Sequence, residues 1–167
     1  SKSHRVAGYR CGWMCLSGPK QNAKSYIQGV NLLSSMRLCS NVPAQSIIQT
    51  ALGGIQSADE LLLPGGRLFE QREVIYNELS AIDGISVVKP DAAFYIFPKI
   101  DTQKIHINND EKFAMDLLKK KYVLISHGTG FNMPEPGYFR IVYLPDKEIL
   151  HEACVRLGSF LQTYSQF

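Results

Sequence analysis

Lys2 lies between Ser1 and Ser3, and Arg10 follows eight residues later between Gly8 and Gly12. A further arginine, Arg140, stands late in the chain within Tyr138-Phe139-Arg140-Ile141-Val142-Tyr143. Together these residue types suit an imine-forming lysine acting on an aldehyde cofactor. Such a lysine must be partly neutral, which desolvation or neighbouring cations promote. Arg5 and Arg10 supply positive charge nearby in sequence, and small neighbours let a cofactor lie close. A guanidinium pairs bidentately with phosphate, and flanking glycines permit close backbone approach. In a strand, Arg140 points away from the face of Phe139 and Ile141, and its planar fork suits a carboxylate. Each residue alone has a plainer reading. Lys2 reads as a solvated terminal charge, Arg10 as the partner of an acid at a strand end, and Arg140 as a solvent-facing arginine on an edge strand.

Other candidates carry less. His127, in Ser126-His127-Gly128-Thr129-Gly130, has no nucleophile that the sequence pairs with it and reads as a loop histidine. Gly128-Thr129-Gly130 lacks the third glycine and the following helix of a dinucleotide fingerprint. Cys11 and Cys15 sit on an apolar stretch, where core packing is a more ordinary role than nucleophilic attack. The four cysteines form no CxxC pair and no zinc-type spacing with histidine, so no metal site is expected and free thiols in a reducing cytoplasm are.

The 167 residues suffice to bury a real core, and 45% hydrophobic with 20% charged residues argues for a globular chain. The net charge of +3 is dispersed. Lys119-Lys120-Lys121 reads as a solvated helix end, not a nucleic-acid stripe. No apolar run has the length of a membrane span. The N-terminus has no signal-peptide pattern, and a chain opening Ser-Lys-Ser is also what an excised piece would look like.

The elements that must position these residues read as follows. Residues 9–16 form a strand closed by Ser17-Gly18-Pro19. From Pro19, which a first turn tolerates, a helix then buries Ala23, Tyr26, Ile27, Val30 and Leu33. After a break at Cys39-Ser40-Asn41, Pro43 begins a helix that runs to Leu52 and stops at Gly53-Gly54. Pro64-Gly65-Gly66 separates two helical patterns. The second carries Leu68, Arg72, Ile75, Leu79 and Ile82, with Arg72 the misfit that snorkels or pairs with an acid. Residues 85–88 and 92–97 form two joined strands, and Pro98 ends the second. Asn108-Asn109-Asp110 caps a helix with Phe113, Ala114, Leu117 and Leu118 inward. Residues 123–125 form a short buried strand, 126–137 a loop and 139–144 a strand. Asp146 caps a last helix whose inner stripe is Leu150, Ala153, Cys154, Leu157, Phe160 and Leu161. This is an α/β arrangement of helices over a small sheet, preceded by a segment of some fifty residues whose strand has no partner of its own.

The opening SKSHRVAGYRCGWM resembles the lysine motif of the class I/II, fold-type I aminotransferases, which bind pyridoxal 5′-phosphate. Within them it is most similar to the subgroup of bacterial alanine (glutamate–pyruvate) transaminases. The likeness continues through Met36-Arg37-Leu38-Cys39, Asn41-Val42-Pro43-Ala44-Gln45, Thr50-Ala51-Leu52-Gly53-Gly54, Pro64-Gly65-Gly66-Arg67, Pro98-Lys99-Ile100-Asp101 and Phe139-Arg140-Ile141-Val142, and so covers the whole chain.

The resemblance implies that Lys2 bonds the cofactor aldehyde and then moves a proton at the substrate. Arg10 holds the cofactor phosphate, Ser1 lies near it, and Arg140 grips the substrate α-carboxylate. It implies the C-terminal part of the family's fold: residues 1–60 as the end of the large cofactor-binding domain, 61–83 as a connecting helix, and 84–167 as the small α/β domain. It further implies amino-acid and 2-oxo-acid substrates, a cytoplasmic homodimer, and no nucleic-acid or membrane partner. The family's ring-stacking aromatic and its acid for the pyridine nitrogen precede the lysine, so the chain alone is expected to be inactive or nearly so. Two alternatives stand: a non-catalytic module that binds a partner, and another reaction on the same cofactor. Uncovered apolar stripes lead to the expectation that the isolated chain self-associates or that its first fifty residues are mobile.

Overall fold

A computed structural model describes residues 1–166. The chain divides into two compact units, Ser1–Asp59 and Glu60–Phe167.

In the first unit, a 3₁₀ turn at Ala7–Tyr9 ends with Arg10 in the left-handed region (φ 49°). A second turn, Gln21–Ala23, leads into helix α1, Lys24–Arg37. The chain turns at Leu38, and the Asn41 side chain then accepts from Ala44 N to cap α2, Val42–Ser46, with proline in its first turn. Helix α3, Ile48–Gly53, follows. Asn41 also donates to Tyr9 O at 2.8 Å, tying the opening turn to the start of α2.

Three expectations are corrected here. Residues 9–16 form no strand, because a strand needs a neighbour for its ladder and none exists among the described residues of this unit. Cys11 is therefore half-buried and Cys15 exposed, and neither sits in a core. The α1 helix is where its periodicity puts it, yet none of its residues is buried; Tyr26 is 58% and Leu33 68% exposed. The single helix expected to run to Leu52 is interrupted at Ile47. There Ser46 Oγ bonds Pro43 O at 2.7 Å, competing with the helical donor.

The second unit opens with α4, Asp59–Leu62, whose first residue belongs to the unit before it. The Pro64-Gly65-Gly66 break behaves as its composition requires. Gly65 has φ 88°, and a Cβ on Gly66 would lie 2.3 Å from Glu60 O. Helix α5, Arg67–Ser80, follows, with Gln71, Ile75 and Leu79 buried. Arg72 stays at the rim, 3.2 Å from Glu73 and over the Phe69 ring. The residue that enters the core beside it is Gln71.

The strands are short: β1 Ile85–Ser86, β2 Tyr95–Ile96 and β3 Lys99–Ile100. After them come α6, Thr102–Ile105, and α7, Asp110–Lys121. The remaining elements are β4 Ser126–His127, a 3₁₀ turn at Thr129–Phe131, β5 Phe139–Val142 and α8 Lys147–Leu161. Strand β5 is central, antiparallel to both β2 and β4. The two strands expected around Lys89-Pro90-Asp91 do not pair with each other; β1 pairs instead with β3. Strand β2 stops at Ile96, so Pro98 falls just past its end as expected; the Pro98 carbonyl accepts from Phe139 N at 3.2 Å, and β3 begins directly after it in the other sheet. Residues 123–125 form no strand: Ile125 is buried, Leu124 is 78% exposed, and pairing begins only at Ser126.

Helices α5, α7 and α8 contribute Ile75, Leu79, Phe113, Leu117, Leu150, Cys154, Leu157 and Phe160 to one core with Ile96, Ile100 and Phe139 of the strands. The expected inner stripes of α7 and α8 are thus observed, except that Leu118 and Ala153 are only half-buried at their edges. Asn109 caps α7 by accepting from Lys112 N at 2.7 Å. Asp146 precedes α8 without a side-chain capping bond, and its carboxylate lies 3.7 Å from Arg67. Among the described residues, no helix is long and apolar enough to cross a membrane.

Candidate functional site

The predicted site residues fall in both units: Ser1, Lys2 and Arg10 in the first, Arg140 in the second. Ser1 and Lys2 are exposed. The segment carrying them is anchored just downstream. His4 Nε2 donates to Ala51 O at 2.6 Å, near the end of α3. A carbonyl can only accept, so Nε2 carries the proton and Nδ1 is left to accept from the Ser3 hydroxyl at 3.0 Å. Arg5 donates to Ser57 at 2.8 Å, a second tie to the end of the unit. His4 had no role in the sequence analysis; its interest lies in a contact 47 positions away that no local pattern reports.

Arg10 is exposed, with Nη1 donating to Ala7 O at 2.8 Å and its other side-chain donors without a partner among the described residues. A cavity of about 370 Å³ opens beside this turn, walled by Ser1, Ser3, His4, Cys11 and Trp13 against α2 and α3. Lys2 and Arg10 are not part of its wall. The donor set nevertheless fits an aldehyde that carries a phosphate. Lys2 has an amine with no hydrogen bond or ion pair among the described residues, and a guanidinium and two serine hydroxyls lie close in sequence.

In the second unit, the ladder register places Arg140. It pairs with Ser126 across β4–β5, while Phe139 pairs with His127. Tyr95 pairs with Val142, so Tyr95 and Arg140 are diagonal neighbours on one sheet face. Phe139 is fully buried on the other. The alternation read from the sequence therefore holds, and Arg140 does not simply point into solvent. Its Cζ lies 4.5 Å from the Tyr95 ring centroid and 4.3 Å from that of Phe131. Its Nε is buried with no hydrogen-bond partner among the described residues. No ion pair to Arg140 exists among the described residues, and its guanidinium is flanked by the two rings.

His127 is not the loop histidine expected. Its backbone belongs to β4, and the turn that follows is folded over its ring: a Cβ on Gly130 would sit 3.2 Å from it. Its Nδ1 is buried and has no hydrogen-bond partner among the described residues. Among the described residues, no cluster of three or more His, Cys, Asp or Glu side chains suits a metal ion.

The profile of the family described as "Aminotransferase class I and II" matches residues 1–157. The chain is 56% identical over 166 residues to the glutamate-pyruvate aminotransferase AlaA of Haemophilus influenzae, covering 99% of this chain and 41% of that protein. Its fold is that of part of a solved aminotransferase from Escherichia coli, at TM-score 0.90 and 50% identity over 99% of this chain and 41% of that one. An alanine aminotransferase from Pyrococcus furiosus superposes at TM-score 0.79 with 37% identity, covering 94% of this chain and 39% of its own. The chain thus spans about two fifths of the length of the relatives it matches. With the lysine turn, the ring-held arginine and a match that runs through nearly every residue, this chain belongs to the class I and II aminotransferase family.

Proposed function

We propose that the chain is the C-terminal part of a pyridoxal 5′-phosphate-dependent aminotransferase that exchanges the amino group between alanine and 2-oxoglutarate. Residues 1–60 form the end of the cofactor-binding domain, 61–83 the connecting helix, and 84–167 the small domain. The division into units at Asp59 and Glu60 supports the first boundary. The names of the relatives support the substrates. A cytoplasmic homodimer is part of the same reading.

When bound, the cofactor supplies an aldehyde that takes up the amino group and a ring that withdraws electrons from it. The chain's own residues do the rest. The Lys2 amine holds the cofactor between turnovers, and once displaced it takes the proton from the substrate Cα. Arg10 pairs with the phosphate, and the Ser1 hydroxyl donates to it. Arg140 takes the substrate carboxylate in its planar fork.

The observation that carries this reading is Arg140 itself. A buried, unpartnered Nε on a guanidinium held by two aromatic rings is costly unless an anion completes it. The test is turnover of L-alanine with 2-oxoglutarate by the full-length protein that carries this chain. Pyruvate and glutamate forming in equal amounts is expected. Release of ammonia or carbon dioxide from alanine in place of glutamate would assign another reaction.

A further inference from the structure

We propose that Asp110 is a positioning residue for Arg140, acting through the Thr129–Phe131 turn. The proposal rests on the reading of Arg140 as the carboxylate-binding residue. Asp110 is the first residue of α7 and only 4% exposed. Its two carboxylate oxygens accept separately from Thr129: Oδ2 from the backbone N–H at 2.8 Å and Oδ1 from the side-chain hydroxyl at 2.8 Å. Backbone and side chain of the turn's first residue are therefore both fixed. The turn closes on itself through Phe131 N to Gly128 O at 2.8 Å and Asn132 N to Thr129 O at 3.0 Å. Phe131 is thereby held with its ring 4.3 Å from the Arg140 guanidinium carbon.

The arrangement solves a conflict. An acid in direct contact with Arg140 would orient it but would also occupy the fork that a substrate carboxylate needs. Here the acid is spent on Thr129, and orientation reaches the guanidinium through an uncharged ring. Tyr95, on the neighbouring strand, bounds Arg140 from the sheet. Loss of the Asp110–Thr129 pair frees Phe131, gives Arg140 more rotamers and weakens carboxylate binding in ground state and transition state alike. A loss of that kind appears in KM and not in kcat.

The test uses steady-state kinetics of the full-length, cofactor-loaded protein with L-alanine and 2-oxoglutarate. Asp110→Asn replaces one acceptor oxygen by an amide nitrogen, and Thr129→Val removes the hydroxyl donor. Both are expected to raise KM for both substrates roughly tenfold with kcat within about twofold of the starting protein. Thr129→Ser keeps both donors and is expected to retain the original KM. Arg140→Lys is the reference and raises KM by more. If Arg140→Lys raises KM while folded Asp110→Asn and Thr129→Val leave it unchanged, the positioning role is overturned and the Arg140 reading survives. If Arg140→Lys itself leaves KM unchanged, the Arg140 reading fails and this proposal with it. A fall in kcat at constant KM in the Asp110 and Thr129 variants also overturns it. Where Asp110→Asn does not fold, by circular dichroism, the Thr129→Val and Thr129→Ser pair decides.

Discussion

Gln71 Nε2 donates to Pro145 O at 2.6 Å from a position only 1% exposed. The same nitrogen donates to Leu144 O at 3.1 Å. A single amide on α5 thus satisfies two carbonyls in the turn between β5 and α8, where proline removes a backbone donor. Gln71→Leu keeps the bulk but leaves Pro145 O without this donor, while Leu144 O keeps its bond from Arg67 Nη2 at 2.7 Å. It is expected to destabilise the second unit by about 1–3 kcal/mol. Urea unfolding of the two proteins measures this, and an unchanged midpoint would show that water replaces the amide without loss.

The thiols differ in environment and should differ in rate. Cys154 is buried in the core, and burial, with Glu78 adding to it, pushes its thiol up to about 12. Thiolate is the reactive form, so Cys154 stays inert at neutral pH. Cys15 and Cys39 are exposed and Cys11 is half-buried. A disulfide reagent at pH 8 should therefore modify Cys15 and Cys39 first, Cys11 more slowly, and Cys154 only in denaturant. Four equal rates would contradict the core placement of Cys154.

Asp116 gives the second unit an acid-sensitive tie. Its carboxylate accepts from Lys112 Nζ at 2.8 Å and from the buried Tyr164 hydroxyl at 2.9 Å. The Lys112 hydrogen bond holds its pKa below the usual aspartate value, against the opposing effect of burial. A depressed folded value means that its contribution is fully present above the unfolded value of about 3.9. That contribution is lost as pH falls through the folded value. Asp116→Asn should thus flatten the decline of stability below about pH 4, and leave the pH dependence near neutrality unchanged. An identical acid limb in both proteins would exclude Asp116 from it.

The first unit exposes Trp13 (66%), Met36 (72%), Leu38 (87%) and Ile55 (99%). Apolar side chains left this open favour association. The 167-residue chain is expected to show a mass above that of a monomer by light scattering, rising with concentration. A monodisperse monomer would contradict this.

How much of this was legible in the sequence depends on the range of the interaction. Asn109 as a cap and the stripes of α7 and α8 are local, and period and capping chemistry suffice to find them. Pro64-Gly65-Gly66 is equally local, since one glycine needs positive φ and the next has no room for a Cβ. Strand pairing is not local. Residues 9–16 have a strand's composition but no neighbour to pair with among the described residues, and β1 passes over the adjacent β2 to pair with β3. On α5 the pattern singled out Arg72, while the buried polar residue is Gln71, whose carbonyl partners lie 73 and 74 positions away. The same distinction divides the site. The facing of Arg140 follows from alternation with Phe139 and Ile141. Phe131 over its guanidinium, and Asp110 behind Phe131, depend on a turn and a contact spanning 19 positions, which no periodicity encodes.

The proposed role of Lys2 is to bond the cofactor. Borohydride reduction of the full-length protein with pyridoxal phosphate, followed by peptide mass mapping, identifies the bonding lysine. One stable pyridoxyl adduct per chain, on Lys2, is expected. Lys2→Ala is expected to remove the adduct and to lower transamination by about a thousandfold or more. An adduct on another lysine, or a Lys2→Ala protein that still turns over alanine at the original rate, would contradict it.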